Sequence, residues 1–311
     1  MASLICGSIA YDTIMTYEGR FRDHILPEQI HILNVSFLVP QMRREFGGCA
    51  GNIAYTLKML GGEPIILATV GADADPYLAH LQQLGISTEH VRVLPEHFTA
   101  QAMITTDLDN NQITAFHPGA MTYSSLNRAE QATSFSLGIV APDGRDGMLE
   151  HARQFADLGV PFIFDPGQGM PMFDGADLRQ FVELANYVAV NDYEGRMLTE
   201  RTGLSLERIA SQVEALIVTL GEHGAEIYAG GQRYRIPSVK PAAVVDPTGC
   251  GDAFRGGLLY GIERGFDWET TGRLASLMGS LKIAKQGPQN HAIGREAIHE
   301  QFTAAFGYRY E

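Results

Sequence analysis

Cysteine is scarce in this 311-residue sequence: Cys6, Cys49 and Cys250 stand far apart, are odd in number and form no Cys-x-x-Cys pair. That argues against a disulfide framework and against a zinc site built on paired cysteines. Positive charge is scarce too, with 23 Lys and Arg against 36 Asp and Glu and a net charge of −13. Nucleic-acid binding needs clustered Lys and Arg on one face. Nucleic acid is therefore not an expected partner, and any bound anion must be held by local features. No apolar run approaches the ~20 residues of a membrane span. The segment Met1–Gly7 lacks the basic and long apolar regions of a signal peptide, so the expected location is the cytoplasm. There is no Gly-Lys-Ser or Gly-Lys-Thr, which excludes the P-loop.

What is present is ordinary globular composition, 45% hydrophobic and 19% charged. A chain of this length buries about three quarters of its unfolded surface and needs no disulfide or structural metal to fold. Short apolar runs alternate with helical patterns. Leu4–Gly7, Ile65–Val70, Gly138–Ala141, Pro161–Asp165, Tyr187–Asn191 and Ala215–Leu220 read as strands. Ala50–Leu60 and Pro76–Leu84 read as helices, and the last third reads as mostly helical, with Asp252–Arg264, Trp268–Lys285 and Arg295–Phe306. This order predicts an α/β fold, a doubly wound and mostly parallel sheet with helices on both faces.

Two segments break the rhythm. One follows the first strand and holds an extended, partly alternating run at Gln29–Val39. The other reads as a hairpin, Thr99–Asp107 and Gln112–His117, joined by a turn at Asp109-Asn110-Asn111. They predict a small β-sheet lid made of residues 13–46 and 98–117, with 1–12, 47–97 and 118–311 forming the large domain. Edge decoration of the main sheet is the alternative.

The most informative segment is Asp246-Pro247-Thr248-Gly249-Cys250-Gly251-Asp252, which leads into an amphipathic stretch with Phe254, Leu258 and Ile262. A glycine turn at a helix N-terminus leaves N–H groups unpaired, and with the helix dipole they form an anion site. Asp252 closes that turn. It is placed to accept a proton from a hydroxyl attacking a bound phosphoryl group, or simply to cap the helix. A dinucleotide fingerprint starting at Gly249 fails, because its third glycine would fall on Phe254.

This turn resembles the C-terminal signature of the ribokinase-like (PfkB) carbohydrate and nucleoside kinases, and Phe46-Gly47-Gly48-Cys49-Ala50-Gly51-Asn52 resembles their N-terminal signature. The resemblance covers nearly the whole chain and implies the family's three-layer α/β/α sheet with a β lid. It implies Asp252 as catalytic base and the N–H groups of Gly249, Cys250 and Gly251 as an anion hole. Asp12, Gly48 and Asn52 would hold the acceptor's hydroxyls. Asn191 and Glu194 match the family's Asn-x-x-Glu motif for Mg²⁺ and phosphate, although an Asn before a helix is by itself a common cap. ATP would lie along Thr219, Gly221 and Gly224, near Ala275 and Gly279. The carbonyls of Asp246 and Thr248, with the stretch after Lys285, resemble a monovalent-cation (K⁺) loop.

The family phosphorylates sugars and nucleosides. Gln101, Met103 and Phe116 on the lid and Gln168 after a strand are candidates to face a nucleobase. The wording around Gly47–Asn52, Phe116–Gly119, Asp165–Gln168 and Asp246–Gly261 is more like bacterial adenosine and nucleoside kinases than ribokinase. The expected activity is ATP-dependent phosphorylation of a nucleoside 5′-hydroxyl, adenosine first, with a range that includes inosine and guanosine. A ribokinase- or fructokinase-type sugar kinase is the alternative, and a non-catalytic nucleoside sensor a third reading. Monomer and homodimer through the lid both stay open.

Overall fold

Apolar runs too short for helices form strands buried on both faces, and the amphipathic runs between them form the covering layers. In chain order the elements are β1 (Ala2–Cys6), β2 (Ala10–Thr16), β3 (Gln41–Gly47), α1 (Cys49–Leu60), β4 (Glu63–Gly71), α2 (Asp75–Gln83), β5 (Val91–Leu94), β6 (Ala100–Thr106), β7 (Gln112–His117), β8 (Phe135–Val140), α3 (Arg145–Leu158), β9 (Phe162–Phe164), α4 (Gly175–Leu184), β10 (Tyr187–Asn191), α5 (Asp192–Thr202), α6 (Leu206–Ala210), β11 (Ala215–Thr219), β12 (Ala225–Ala229), β13 (Gln232–Ile236), α7 (Cys250–Glu263), α8 (Trp268–Ile283) and α9 (Arg295–Phe306). The structure is a computed structural model that describes residues 2–25, 34–109 and 111–311.

Nine strands form the main sheet in the order β13-β12-β11-β10-β9-β8-β1-β4-β5. Every pair from β11 to β5 is parallel, and β12 and β13 add an antiparallel edge. Alternate strand residues serve opposite layers. Ile5, Ile139, Ile163, Ala189 and Ile217 pack under Ile53 and Leu57 of α1, Leu258 of α7 and Leu274 of α8. Leu4, Cys6, Val140, Phe164 and Val190 pack on the other side against Met148 and Phe155 of α3, Phe181 of α4 and Leu198 of α5. The chain runs from β1 out to β4 and β5 and then returns to β8 on the other side of β1. That reversal marks the crevice beyond the strands' carboxyl ends as the place where such sheets bind ligands.

A second sheet, in the order β3-β2-β6-β7, stands beyond those carboxyl ends. β2 pairs antiparallel with β3 and parallel with β6, and β6 pairs antiparallel with β7. Its passage to the main sheet is tight. Gly48 lies at φ +84°, and a Cβ there would sit 2.6 Å from both the Ala10 nitrogen and the Ser8 oxygen. Only glycine lets the β1–β2 and β3–α1 connections cross so closely. The Asp107 carboxylate organises the β6–β7 turn, accepting from the N–H groups of Asp109 and Asn111. Asn110 of that turn, and 26–33 of the run expected over Gln29–Val39, lie outside the described residues; 34–40 have no regular secondary structure.

The β12–β13 hairpin departs from the mostly helical last third that the sequence predicts. It turns on Gly230 and Gly231, at φ +57° and +76°, between two five-residue strands. Glu226, Arg233 and Arg235 alternate with apolar residues along its strands, and a Gly-Gly dipeptide between short alternating runs is itself a hairpin signal.

Candidate active site

Gly249 ends the glycine turn in the left-handed region at φ +80° and starts α7. A Cβ on it would meet Pro288 at 2.8 Å, so the turn is fitted against the 285–290 loop. Of the three N–H groups expected to form the anion hole, that of Cys250 donates to the Pro247 carbonyl at 3.1 Å. Those of Gly249 and Gly251 make no hydrogen bond among the described residues, and neither does that of Asp252. The free donors are thus Gly249, Gly251 and Asp252, at the positive end of a 14-residue helix. Sequence position alone does not reveal that the Cys250 N–H closes the turn.

The Asp252 side chain accepts from Asn52 Nδ2 at 2.8 Å. Asn52 is oriented in turn by Gln289, whose Nε2 donates to Asn52 Oδ1 at 3.0 Å and to the Tyr77 hydroxyl at 2.6 Å. The Tyr77 hydroxyl donates in turn to the Gly47 carbonyl at 2.6 Å. A buried chain of hydrogen bonds therefore joins the base of the small sheet to the first turn of α7. Burial pushes Asp252 up to about 6, with Asp165 adding to the rise and Asn52, Arg255 and the Cys49 thiol opposing it. Asp12, on β2, is also pushed up to about 6, by burial and then by the Asp252, Asp246 and Glu45 carboxylates. It shares a sheet face with Gly47, where a Cβ would stand 2.5 Å from Asp12 Oδ2.

One turn after Asp252, Arg255 makes a buried two-point ion pair with Asp165 at the end of β9, with Nε–Oδ2 at 3.1 Å and Nη2–Oδ1 at 3.0 Å. Both side chains are 5% exposed. Asn191 and Glu194 form a reciprocal capping box at the start of α5. Asn191 Oδ1 accepts from the Glu194 N–H, and the Glu194 carboxylate accepts from the Asn191 N–H and Nδ2, each at 2.8 Å. Each carboxylate oxygen keeps a lone pair. Burial and Asp165 raise Glu194, against Arg255 and the Asn191 N–H. Among the described residues no cluster of three or more His, Cys, Asp or Glu side chains could hold a metal ion. Mg²⁺ keeps several waters and is bound with substrate phosphates rather than in an all-protein cage, and the free lone pairs of Glu194 fit that mode.

Asp246 ties the turn to the next loop. Its carboxylate accepts from the N–H groups of Thr248 and Gly287, both at 2.9 Å. Burial would raise it, but the Gly287 and Thr248 donors and Lys282 outweigh burial and hold it below its ordinary value. The Asp246 carbonyl accepts from Lys282 Nζ at 2.7 Å.

The other sequence candidates separate. Phe116 shares the Asp12 face of the small sheet through the Asp12–Ala102–Phe116 register and is exposed. Gln101 and Met103 fall on the opposite face: Gln101 donates to Thr13 Oγ1 at 2.8 Å, and Met103 is exposed. Gln168 is exposed in a short turn after β9. Thr219 ends β11. Gly221 and Gly224 flank the turn into β12, both at positive φ, and a Cβ on Gly224 would meet the Ile236 carbonyl at 2.1 Å. Ala275 is fully buried in the α7–α8 seam, opposite Gly257, and so does not reach an open surface. Gly279 lies beside the Cys250 carbonyl, where a Cβ would make ordinary contact at 3.5 Å. Sequence reasoning missed Gln289, Tyr77, Arg255 and Lys282. The available signal was a charged residue inside an apolar helical stretch, as with Arg255 and Lys282; Gln289 and Tyr77 leave none.

No helix among the described residues is long and apolar enough to cross a membrane. The model for pfkB family carbohydrate kinases matches residues 9–293. A nucleoside kinase of Methanocaldococcus jannaschii is 32% identical over 83% of this chain and 85% of its own. The solved structure of Burkholderia thailandensis nucleoside kinase in complex with inosine is 63% identical, with a TM-score of 0.91 and 99% of each chain covered. The same kinase in complex with ADP-inosine is 64% identical, with a TM-score of 0.89 over 100% of this chain and 98% of that one.

Proposed function

Because this chain belongs to the pfkB family of carbohydrate kinases, we propose that it transfers the terminal phosphoryl group of ATP to the 5′-hydroxyl of a purine nucleoside. The observation that carries the reading is Asp252, a carboxylate pushed up to about 6 beside three unpaired N–H groups at a helix N-terminus. A base beside an anion site suits a hydroxyl attacking a phosphoryl group. Likeness to a kinase solved with inosine supports a purine nucleoside as acceptor. Adenosine, inosine and guanosine are the substrates to compare.

In this reading Asp12 accepts hydrogen bonds from vicinal ribose hydroxyls, and Gly47 leaves room for its carboxylate. Phe116, on the same face, is placed to cover the base. Asn52, fixed by Gln289, holds one oxygen of Asp252, and the carboxylate takes the 5′-hydroxyl proton as the oxygen–phosphorus bond forms. The bond from phosphorus to the ADP oxygen breaks, and the N–H groups of Gly249, Gly251 and Asp252 face the charge on the transferred group. Glu194, with Asn191, would hold waters of a magnesium ion, which when bound neutralises phosphate charge.

The test is Asp252→Asn. It should lower kcat by about 10²–10⁴-fold, the usual contribution of a positioned base, with nucleoside affinity in calorimetry kept. Near-normal turnover would remove Asp252 from this role. In a substrate panel, ribose or fructose turned over far better than any nucleoside would overturn the choice of acceptor.

A further inference from the structure

Lys282 lies in the last turn of α8, and its side chain is fully buried. A buried ammonium must be hydrogen-bonded or face opposite charge. Its Nζ donates to the Asp246 carbonyl at 2.7 Å and to the Lys285 carbonyl at 3.1 Å. Those carbonyls belong to the two segments that meet under the glycine turn. The same junction is closed by Ile283, whose carbonyl accepts from the N–H groups of Val245 and Asp246. The Asp246 carboxylate crosses it a third time, to the Gly287 N–H. Lys282 thus puts a fixed positive charge beneath the turn, at the negative end of α8 and among the acidic groups Asp246, Glu45 and Asp252.

The residues present do not fit the potassium ion expected at Asp246 and Thr248. The Asp246 carbonyl is already engaged by an ammonium, and a second cation beside it would be repelled. We infer that the Lys282 ammonium takes the place of a bound monovalent cation, so that this chain holds its phosphate-facing turn with its own side chain and works without potassium. Lys282 is a positioning residue: it acts on the turn through the Asp246 backbone. The inference rests on the reading of the turn as the nucleotide's phosphate site.

The experiment measures ADP binding by calorimetry, in the presence of magnesium, in potassium chloride and in tetramethylammonium chloride of equal ionic strength. The wild-type protein should bind ADP equally well in both. Lys282→Met, which keeps the side chain's approximate volume, should bind at least about tenfold more weakly in tetramethylammonium, as expected for a lost charged hydrogen bond. Potassium or ammonium ions should restore part of that loss. A purely structural lysine would not give rescue by a small cation. Wild-type binding that strengthens severalfold with potassium overturns the inference, and needs no variant to fold. Unchanged ADP binding by Lys282→Met, or a loss that neither cation restores, overturns it too. Wild-type protein that fails to bind ADP in either salt instead sinks the nucleotide reading beneath it.

Discussion

Replacing Arg255 by Met tests how the site keeps Asp252 usable. Arg255 donates twice to Asp165 and once to the Ala189 carbonyl, at 3.1, 3.0 and 3.3 Å, from a side chain 5% exposed. Met keeps much of the apolar contact but leaves Asp165 buried without a cation. Breaking a buried pair from one side costs about 3–5 kcal/mol. At roughly 2 °C per kcal/mol for a chain of this size, the melting temperature falls by about 6–10 °C. The second effect is electrostatic. Arg255 opposes and Asp165 promotes the rise of Asp252, so the variant pushes Asp252 above about 6. The acid limb of kcat/KM against pH therefore moves to higher pH. Adding Asp165→Asn removes the stranded charge, which should recover most of the melting temperature and return the acid limb to its original position or below it. The assays are thermal unfolding and coupled kinetics from pH 5 to 8. An acid limb that stays put in Arg255→Met refutes the electrostatic link between this pair and Asp252, whatever the loss of stability.

In the wild-type protein kcat/KM should fall on the acid side of pH 6, because Asp12 and Asp252 are both raised from 3.8 to about 6 and must be ionised, Asp12 to accept hydrogen bonds from the ribose and Asp252 to accept the hydroxyl proton. The stability they contribute has the opposite sign: it is fully present below about 3.8, where both states are protonated, and is lost as pH rises through about 6. Denaturant titrations at pH 5 and 8 check that direction. Gly48→Ala forces a side chain into φ +84° and against the backbone of Ser8 and Ala10; with about 1–3 kcal/mol of strain it should lower the melting temperature by about 2–6 °C and raise the nucleoside KM. Gln289→Leu removes the donor that orients Asn52, and should lower kcat/KM by about fivefold to thirtyfold, as for one or two kcal/mol of lost positioning.

The main sheet was legible because parallel strands buried on both faces leave continuous apolar runs. Tyr187–Asn191 and Arg295–Phe306 match the sequence expectation residue for residue. The β12–β13 hairpin was missed because its strands are five residues long with one wet face, carrying Arg233 and Arg235 on the second, and so leave no continuous apolar run of the kind that marks the parallel strands. At the site, legibility followed backbone chemistry. Glycines at 48 and 249 announce close approach, and the structure has both at positive φ. What sequence does not carry is which donor is already used. The Cys250 N–H looks free from its position and is bonded to Pro247. Nor does it carry sheet face across different strands: Gln101 and Phe116 share a hairpin but point to opposite sides, since face depends on register.

A chain of net charge −13 that handles a polyanion must do so locally. Charges on the outer surface are largely screened beyond about 8–10 Å, so the acidic exterior neither helps nor prevents binding. Within the site the negative groups are numerous: Asp12, Asp165, Asp246, Asp252 and Glu194. Each is matched differently. Asp165 is neutralised by Arg255, and Asp246 by two backbone N–H groups with Lys282 beneath it. Glu194 has the Asn191 N–H and Nδ2 and is raised by burial, and Asp12 and Asp252, with no cation in contact, are driven up to about 6. The separation has a chemical consequence. Asp246 is held below its ordinary value by its donors, whereas Asp12 and Asp252, the pair we propose for the acceptor hydroxyls, keep a real affinity for protons. A uniform supply of Arg and Lys would bind phosphate more strongly but would also lower Asp252 and weaken it as a base. In the function we propose, holding the phosphate with helix N–H groups, which carry partial rather than full charge, would let the anion site and the base stand side by side.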